Sequence, residues 1–173
     1  MILLDLILFI LPAYFANAAP VFSKGTSTID HGAKLQDGKP LLGPGKTWKG
    51  LLYGLVFGTI AAAIISQLLP NFLPQFTLNE KLIIGFLLSA GAMAGDLFGS
   101  FIKRRSGLER GANFPLMDQL FFLFAALIFA LPIYIGKIEI EITDLALLTI
   151  LTYAVHATAN QIAYKLKLKK VPW

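Results

Sequence analysis

The chain has 173 residues, 56% of them hydrophobic and 14% charged, with no cysteine and a formal net charge of +5. A mean hydropathy of +0.69 excludes an ordinary soluble domain and implies an integral membrane protein. The lack of cysteine excludes a disulfide framework and a thiolate metal site, and the basic residues lie in loops beside apolar segments, so a membrane surface and phosphate ligands explain them better than nucleic acid.

The first apolar segment, Ile2–Ala19, is interrupted only by Asp5 and Asn17. Ala16-Asn17-Ala18-Ala19 has the small residues of a signal-peptidase site, but no basic residue precedes the apolar stretch, so it reads as a retained membrane helix with an amide, Asn17, at its far end. The longest polar stretch follows, Phe22–Trp48, with Lys24, Lys34, Lys39, Lys46 and Lys49 in or beside it and glycine or proline at many positions. Regular helix is excluded there. Its end, Gly43-Pro44-Gly45-Lys46-Thr47, approaches a phosphate-binding Walker A loop, but position 40 is proline where that pattern needs glycine, and no strand precedes it. What remains is a flexible loop whose glycines, Gly43 and Gly45, and lysines lead with Thr47 into a helix N-terminus that favours anions. Leu51–Leu69 is an uncharged span closed by Pro70 and Pro74.

The third helix is expected over about Lys81–Phe101. It carries Asp96 into or close to the hydrocarbon, where a carboxylate costs about 2.5–3.5 kcal/mol on insertion scales, so something must offset it. If the helix continues to about Lys103, then Asp96, Ser100 and Lys103 share one face and present an acceptor, a hydroxyl and a cation. Gly91, Gly95 and Gly99 recur every fourth residue and permit close approach of another helix or a ligand. Lys103-Arg104-Arg105 leads into a polar loop, Ser106–Asn113, with Glu109 and Arg110. The fourth helix restarts near Pro115 and runs over about Leu116–Ile135, which puts Asp118 in its first turn, where the helix dipole favours an ionised carboxylate. Two carboxylates on successive helices at one membrane face are candidate ligands for a divalent metal, with the basic cluster between them neutralising phosphate oxygens. The fifth span is Leu145–Tyr164. His156, Asn160 and Tyr164 form one polar stripe on it, which we read chiefly as interhelical hydrogen bonding.

Basic residues concentrate in three places: the first polar loop, the central loop (Lys103, Arg104, Arg105, Arg110) and the tail (Lys165, Lys167, Lys169, Lys170). The positive-inside rule puts these in the cytoplasm. The fold class expected is therefore an all-α integral membrane protein of about five transmembrane helices. Its N-terminus is outside and its C-terminus cytoplasmic, with a polar cytoplasmic loop between the first two helices. That topology gathers Lys46, Asp96, the basic cluster and Asp118 at the face where soluble nucleotides are available.

Gly95-Asp96-x-x-x-Ser100-x-x-Lys103-Arg104 followed by Pro115-x-x-Asp118 resembles the cytidylyltransferases that make CDP-activated lipids. Lys46-Thr47-Trp48-Lys49-Gly50, the Pro115-Leu-Met-Asp-Gln-Leu120 run and the terminal Lys-x-Val-Pro-Trp173 bring the resemblance closer to the CDP-archaeol synthase family, over nearly the whole chain. Bacterial phosphatidate enzymes differ: their Lys-Asp pair after the basic cluster is Glu109-Arg110 here, their His-Gly-Gly is missing, and an acid expected three residues after Asp118 is Phe121. The resemblance implies one transmembrane catalytic domain over 1–173 in the cell membrane. It further implies attack by a prenyl-ether glycerol phosphate, 2,3-bis-O-(geranylgeranyl)-sn-glycerol 1-phosphate, on CTP, giving CDP-archaeol and pyrophosphate.

On that reading Asp96 and Asp118 hold Mg²⁺ and Lys103 acts with them in catalysis. Arg104 and Arg105 hold phosphates with Ser100, and Gly43, Gly45, Lys46 and Thr47 cover the triphosphate from the first loop. Asn17 and Asn160 contact nucleotide or lipid head group, and membrane lipids surround the helices. The competing reading is a membrane transporter of phosphate-containing solutes, with Asp96 and the basic cluster lining a pathway. Against it, the polar groups gather at one face and the five spans show no inverted repeat of broken helices. A CDP-alcohol phosphotransferase is disfavoured because Asp37-Gly38 lacks the Ala-Arg and the further acids of that motif.

Overall fold

A computed structural model describes residues 3–108, 114 and 117–167, with the side chains of Asp118, Gln119, Ala159 and Ala163 outside the description. Glu109 and Arg110 of the central loop, Pro115 and the terminal Lys-x-Val-Pro-Trp motif also lie outside the described residues. The described chain is helical: α1 Leu3–Ala18, a 3-10 turn Ala19–Phe22, α2 Trp48–Leu68, α3 Leu78–Arg105, α4 Met117–Tyr134 and α5 Ile142–Lys165. This is the expected order of five helices, each displaced from its expected bounds by a few residues. Leu3–Phe22, Trp48–Leu68, Leu78–Arg105 and Ile142–Ile162 are long and apolar enough to cross a bilayer, and Leu120–Tyr134 is a shorter apolar helix.

Local chemistry sets the helix starts. Thr47 caps α2 by accepting the Gly50 N–H at 3.1 Å. Thr77 and Glu80 form a reciprocal capping box at α3, and Glu141 with Asp144 does the same for α5, so orphan N–H groups at these ends are met locally. At the end of the bundle that holds the starts of α3 and α5, Lys137 pairs with Glu80 and lies 5.1 Å from the Phe76 ring centroid.

The third helix packs against α1, α2 and α4, while α5 meets α4 and α1. Helix α3 runs 28 residues, about 42 Å at 1.5 Å per residue, against an apolar bilayer thickness of about 30 Å. The excess carries Lys103, Arg104 and Arg105 past the hydrocarbon. Asp96 sits nine positions before Arg105, about 14 Å back along the axis, at the end of the apolar run of the helix.

The glycine repeat on α3 is a helix-packing device. A Cβ at Gly91 would stand 2.6 Å from the Ala126 Cα, and one at Gly95 would stand 2.8 Å from the Phe122 Cα. Those distances are too short for any side chain, so α3 and α4 touch backbone to backbone. On α2, Gly54 and Gly58 do the same against α1, with Cβ positions 2.9 Å from the Ala16 carbonyl and 2.7 Å from the Pro12 carbonyl. Leu6, Phe9 and Ile10 of α1, Leu88 of α3, and Phe122 and Leu123 of α4 fill the space left and are buried. The start of α4 is thereby fixed beside Gly95 and Gly99, and Asp118 is one turn before Phe121 on that same stretch of α4.

The fifth helix is held more sparsely. Among its described side chains, Leu148 and Thr152 are buried, and the Thr152 hydroxyl lies 2.6 Å from the Tyr14 hydroxyl. The His156 ring packs on Phe122 with centroids 5.3 Å apart. His156 thus meets α4 through a ring contact, where a hydrogen bond was expected, while Tyr164 at the end of the stripe is 47% exposed.

Gly95→Ala should drive α4 away from α3 and lower stability by about 1–3 kcal/mol, the range for overpacking. Ile150→Ala, on a side chain 68% exposed, should stay within about 0.5 kcal/mol of the parent. Thermal midpoints of the detergent-solubilised protein distinguish the two, and equal midpoints would mean that α3 and α4 are not in close contact.

Candidate functional site

The first loop has no regular helix, as its glycines and prolines require, but it is not floppy. Two isolated antiparallel bridges, Thr28 with Thr47 and Lys34 with Pro40, cross it. Its organising group is Asp30, a buried carboxylate. One oxygen accepts the Gly32 N–H at 3.1 Å, and the other accepts the Leu42 and Gly43 N–H groups at 2.9 and 3.1 Å. Burial pushes the Asp30 carboxyl pKa up, but the Leu42, Gly32 and Gly43 N–H groups outweigh it and hold the pKa below its ordinary 3.8. Gly32 and Gly43 have φ of +76° and +91°, a region open to glycine at little cost.

This fold aims the end of the loop at α3. Lys46 donates to both carboxylate oxygens of Asp96, at 2.7 and 2.6 Å, with the side chains only 23% and 30% exposed. The pair answers the question that Asp96 raises in the sequence: a loop ammonium reaches down to a carboxylate set at membrane depth and offsets its burial. Gly45, Lys46, Thr47, Gly50, Met93 and Asp96 line part of a shallow, open cleft between the loop, α2 and α3.

Other expected site residues fall into distinct groups. Ser100 and Lys103 follow Asp96 on α3 and are half-buried, as the continuous helix requires. Arg104 lies against the loop, with its Cδ and Nε 3.8 Å from where a Gly43 Cβ would be. Its buried Nε has no hydrogen-bond partner, and neither has that of Arg105.

Arg105 turns to a different part of the loop. Its Nη1 donates to both oxygens of Asp37 at 2.7 Å, and its Nη2 donates to the Lys39 carbonyl at 3.2 Å and to the Pro40 carbonyl. Gly43 and Thr47 serve the loop itself. The Gly43 N–H, expected to be available for phosphate, is held by Asp30, and the buried Thr47 hydroxyl caps α2.

Asn17 is half-buried in the last turn of α1, three residues before Pro20, which lines the cleft. Asn160 is half-buried on α5, one turn beyond His156, and is not among the residues lining that cleft. Asp118 is in the first turn of α4. Among the described residues, no group of three histidines or acids converges on one point.

Sequence reasoning missed Asp30, Asp37 and Lys39. Asp30-His-Gly and Asp37-Gly-Lys carry the signature of turns in which an aspartate accepts the N–H two residues on, and both turns are present. The signal was legible as turn chemistry. Its long-range consequence, the Arg105 contacts, was not.

Comparison with known proteins places this geometry. A family model described as CDP-archaeol synthase matches residues 1–173. The CDP-archaeol synthase of Thermococcus gammatolerans is 47% identical over 95% of this chain and 93% of its own length. That of Pyrococcus horikoshii is 44% identical over 99% and 97%, and that of Sulfolobus acidocaldarius is 44% identical over 99% and 98%. A solved structure described as an intramembrane enzyme for archaeal membrane lipids biosynthesis aligns with a TM-score of 0.79 and 36% identity, covering 89% of this chain and 91% of that one.

Asp30→Ala should leave the Leu42 and Gly43 N–H groups without an acceptor, at about 1–3 kcal/mol for each one left unmet. Their amide-exchange protection should fall while that of α3 holds. In the parent, a carboxyl pKa held low contributes stability that is fully present above 3.8 and is lost as pH falls through the lowered value. Protection factors in the loop should therefore be level from pH 8 to 5 and drop only in acid. A fall between pH 8 and 6 would contradict the role given to Asp30.

Proposed function

We propose that this chain, which belongs to the CDP-archaeol synthase family, transfers the cytidylyl group of CTP to 2,3-bis-O-(geranylgeranyl)-sn-glycerol 1-phosphate, forming CDP-archaeol and pyrophosphate. The observation that carries the reading is the Lys46–Asp96 pair at a cleft beside the basic end of α3. A phosphate oxygen of the lipid attacks the α-phosphorus of CTP. The new P–O bond forms as the bond to the bridging oxygen of pyrophosphate breaks, and pyrophosphate leaves with that electron pair. Both reactants are anions, so the protein's contribution is alignment and charge neutralisation with no covalent nucleophile of its own.

Lys46 faces the triphosphate from the loop, with Gly45 allowing close approach. Arg104, beside Gly43, adds its positive charge near the same phosphates, and Lys103 and Ser100 extend the polar face of α3 toward them. Prenyl chains lie among the helices, open to lipid. The site faces the cytoplasm, as the basic loops require, and the catalytic unit is the whole of 1–173.

The residues present fit Mg²⁺. Asp96 supplies hard carboxylate oxygens of the kind that ion takes, and the Lys46 ammonium already stands against them as a cation. Asp96 and Asp118 would hold the ion, which when bound supplies charge neutralisation at the phosphoryl oxygens.

Purified protein given CTP, Mg²⁺ and the prenyl-ether glycerol phosphate should release pyrophosphate. Asp96→Ala and Asp118→Ala should each lower kcat/KM by about 100-fold or more, the scale of losing one preorganised charge contact, and a chelator should stop turnover. Normal turnover in both variants would remove the metal assignment. A parent protein that leaves CTP intact while moving phosphate compounds across vesicles would identify a transporter instead.

A further inference from the structure

Arg105 sits next to Arg104 in sequence, but successive positions on a helix point about 100° apart, and its guanidinium is enclosed by protein. Its carbon stands 5.5 Å from the Phe101 ring centroid, one turn back on α3. One terminal nitrogen grips the Asp37 carboxylate at 2.7 Å to each oxygen, and the other donates to the Lys39 carbonyl at 3.2 Å and to the Pro40 carbonyl. Lys39 returns a bond from its ammonium to the Arg105 carbonyl at 3.3 Å. Side-chain exposure is 22% for Arg105 and 41% for Asp37.

We propose that Arg105 is a positioning residue, a latch that holds residues 37–40 of the first loop against the end of α3 and so sets Lys46 over the nucleotide cleft. This rests on the reading of the cleft as the CTP site. The connection between latch and site is continuous. Pro40 leads to Leu41, whose N–H donates to the Ala33 carbonyl at 2.8 Å. Leu42 and Gly43 dock on Asp30, and Lys46, whose N–H donates to the Gly43 carbonyl at 3.3 Å, reaches Asp96 with its ammonium. Two points, Asp30 within the loop and Arg105 beneath it, locate a segment that has no secondary structure of its own.

A planar fork is what this contact uses: stacking on a ring, a carboxylate and two carbonyls cannot all be served by a lysine ammonium. With both terminal nitrogens given to Asp37 and to two loop carbonyls, Arg105 would have to release the loop before it could take a phosphate.

The test uses the full chain in detergent with Arg105→Lys, Asp37→Asn and the double variant. Without substrate, hydrogen–deuterium exchange over residues 37–46 should be about tenfold faster in each single variant, and no faster in the double, because either change opens one shared contact. With CTP, each should raise KM several-fold and leave kcat within about twofold, again without additivity. The proposal is overturned if Asp37→Asn matches the parent in both exchange and KM while Arg105→Lys raises KM, since Arg105 would then be touching phosphate directly. Unchanged exchange in all three variants also overturns it. Should the parent fail to use CTP, the function proposed above fails and the exchange comparison alone decides the latch.

Discussion

A carboxylate set within the apolar depth of a membrane helix is the constraint from which the rest of this structure follows. Asp96 lies in the apolar run of α3, about 14 Å along the axis from Arg105, and a charge set among apolar side chains is costly unless it is paired. A partner must come to it, and the partner is Lys46. For a lysine to reach that depth, the loop carrying it must fold back onto the helix ends and stay there. A random connector of the same length would lose the contact to chain entropy. The two isolated bridges, the Asp30 hub and the Arg105 contacts are the means by which it stays. A paired charge removed from water is costly to unpair, so the arrangement holds a cationic group against an anionic one. That is the electrostatic condition a site for polyphosphate needs.

The same constraint explains the division between rigid and adaptable parts. The glycines at 54, 58, 91 and 95 bring α1, α2, α3 and α4 into backbone contact, where small displacements are resisted because the alternative is a steric clash. This locks the register of Asp96 against the start of α4, and so the height at which Asp118 enters. By contrast, α5 meets the bundle mainly through Leu148, Thr152 and the His156 ring. Large outward side chains on α2, such as Leu52, Val56 and Ile60, are exposed, as suits a surface solvated by lipid.

Much of this was legible in the sequence because it rests on periodicity and cost. Five apolar segments separated by polar ones could be placed to within a few residues, since span length is set by bilayer thickness. Asp96 was legible as an anomaly, because an acid inside an apolar run must be compensated by something elsewhere in the chain. The glycine repeat was legible as close approach, and the structure resolves it as helix against helix. The loop was legible only in part. Gly43 and Thr47 read as phosphate donors because turn glycines and a helix N-terminus favour anions. Their groups are instead satisfied within the loop, since a buried Asp30 and the first turn of α2 needed those bonds. Arg105 read as one more cation in a run of three. Helical geometry separates it from Arg104, and nothing local to either residue reveals that Asp37, 68 positions away, would claim it.

The contrast between the two arginines shows how one basic run serves two ends. A guanidinium whose fork is filled by carboxylate and carbonyl oxygens cannot also take a phosphate without releasing them, so Arg105 acts on the site through the loop that it holds. Arg104 lies nearer the glycine loop, its Nε 3.8 Å from where a Gly43 Cβ would stand, and the buried Nε of each arginine lacks a hydrogen-bond partner. Unsatisfied donors of that kind carry a desolvation cost of about 1–3 kcal/mol, which on the proposed reading a phosphate ligand would offset. Affinity for a phosphate-rich ligand can then arise from donors left waiting in a preformed loop, and the loop's order is what keeps them waiting in the right place.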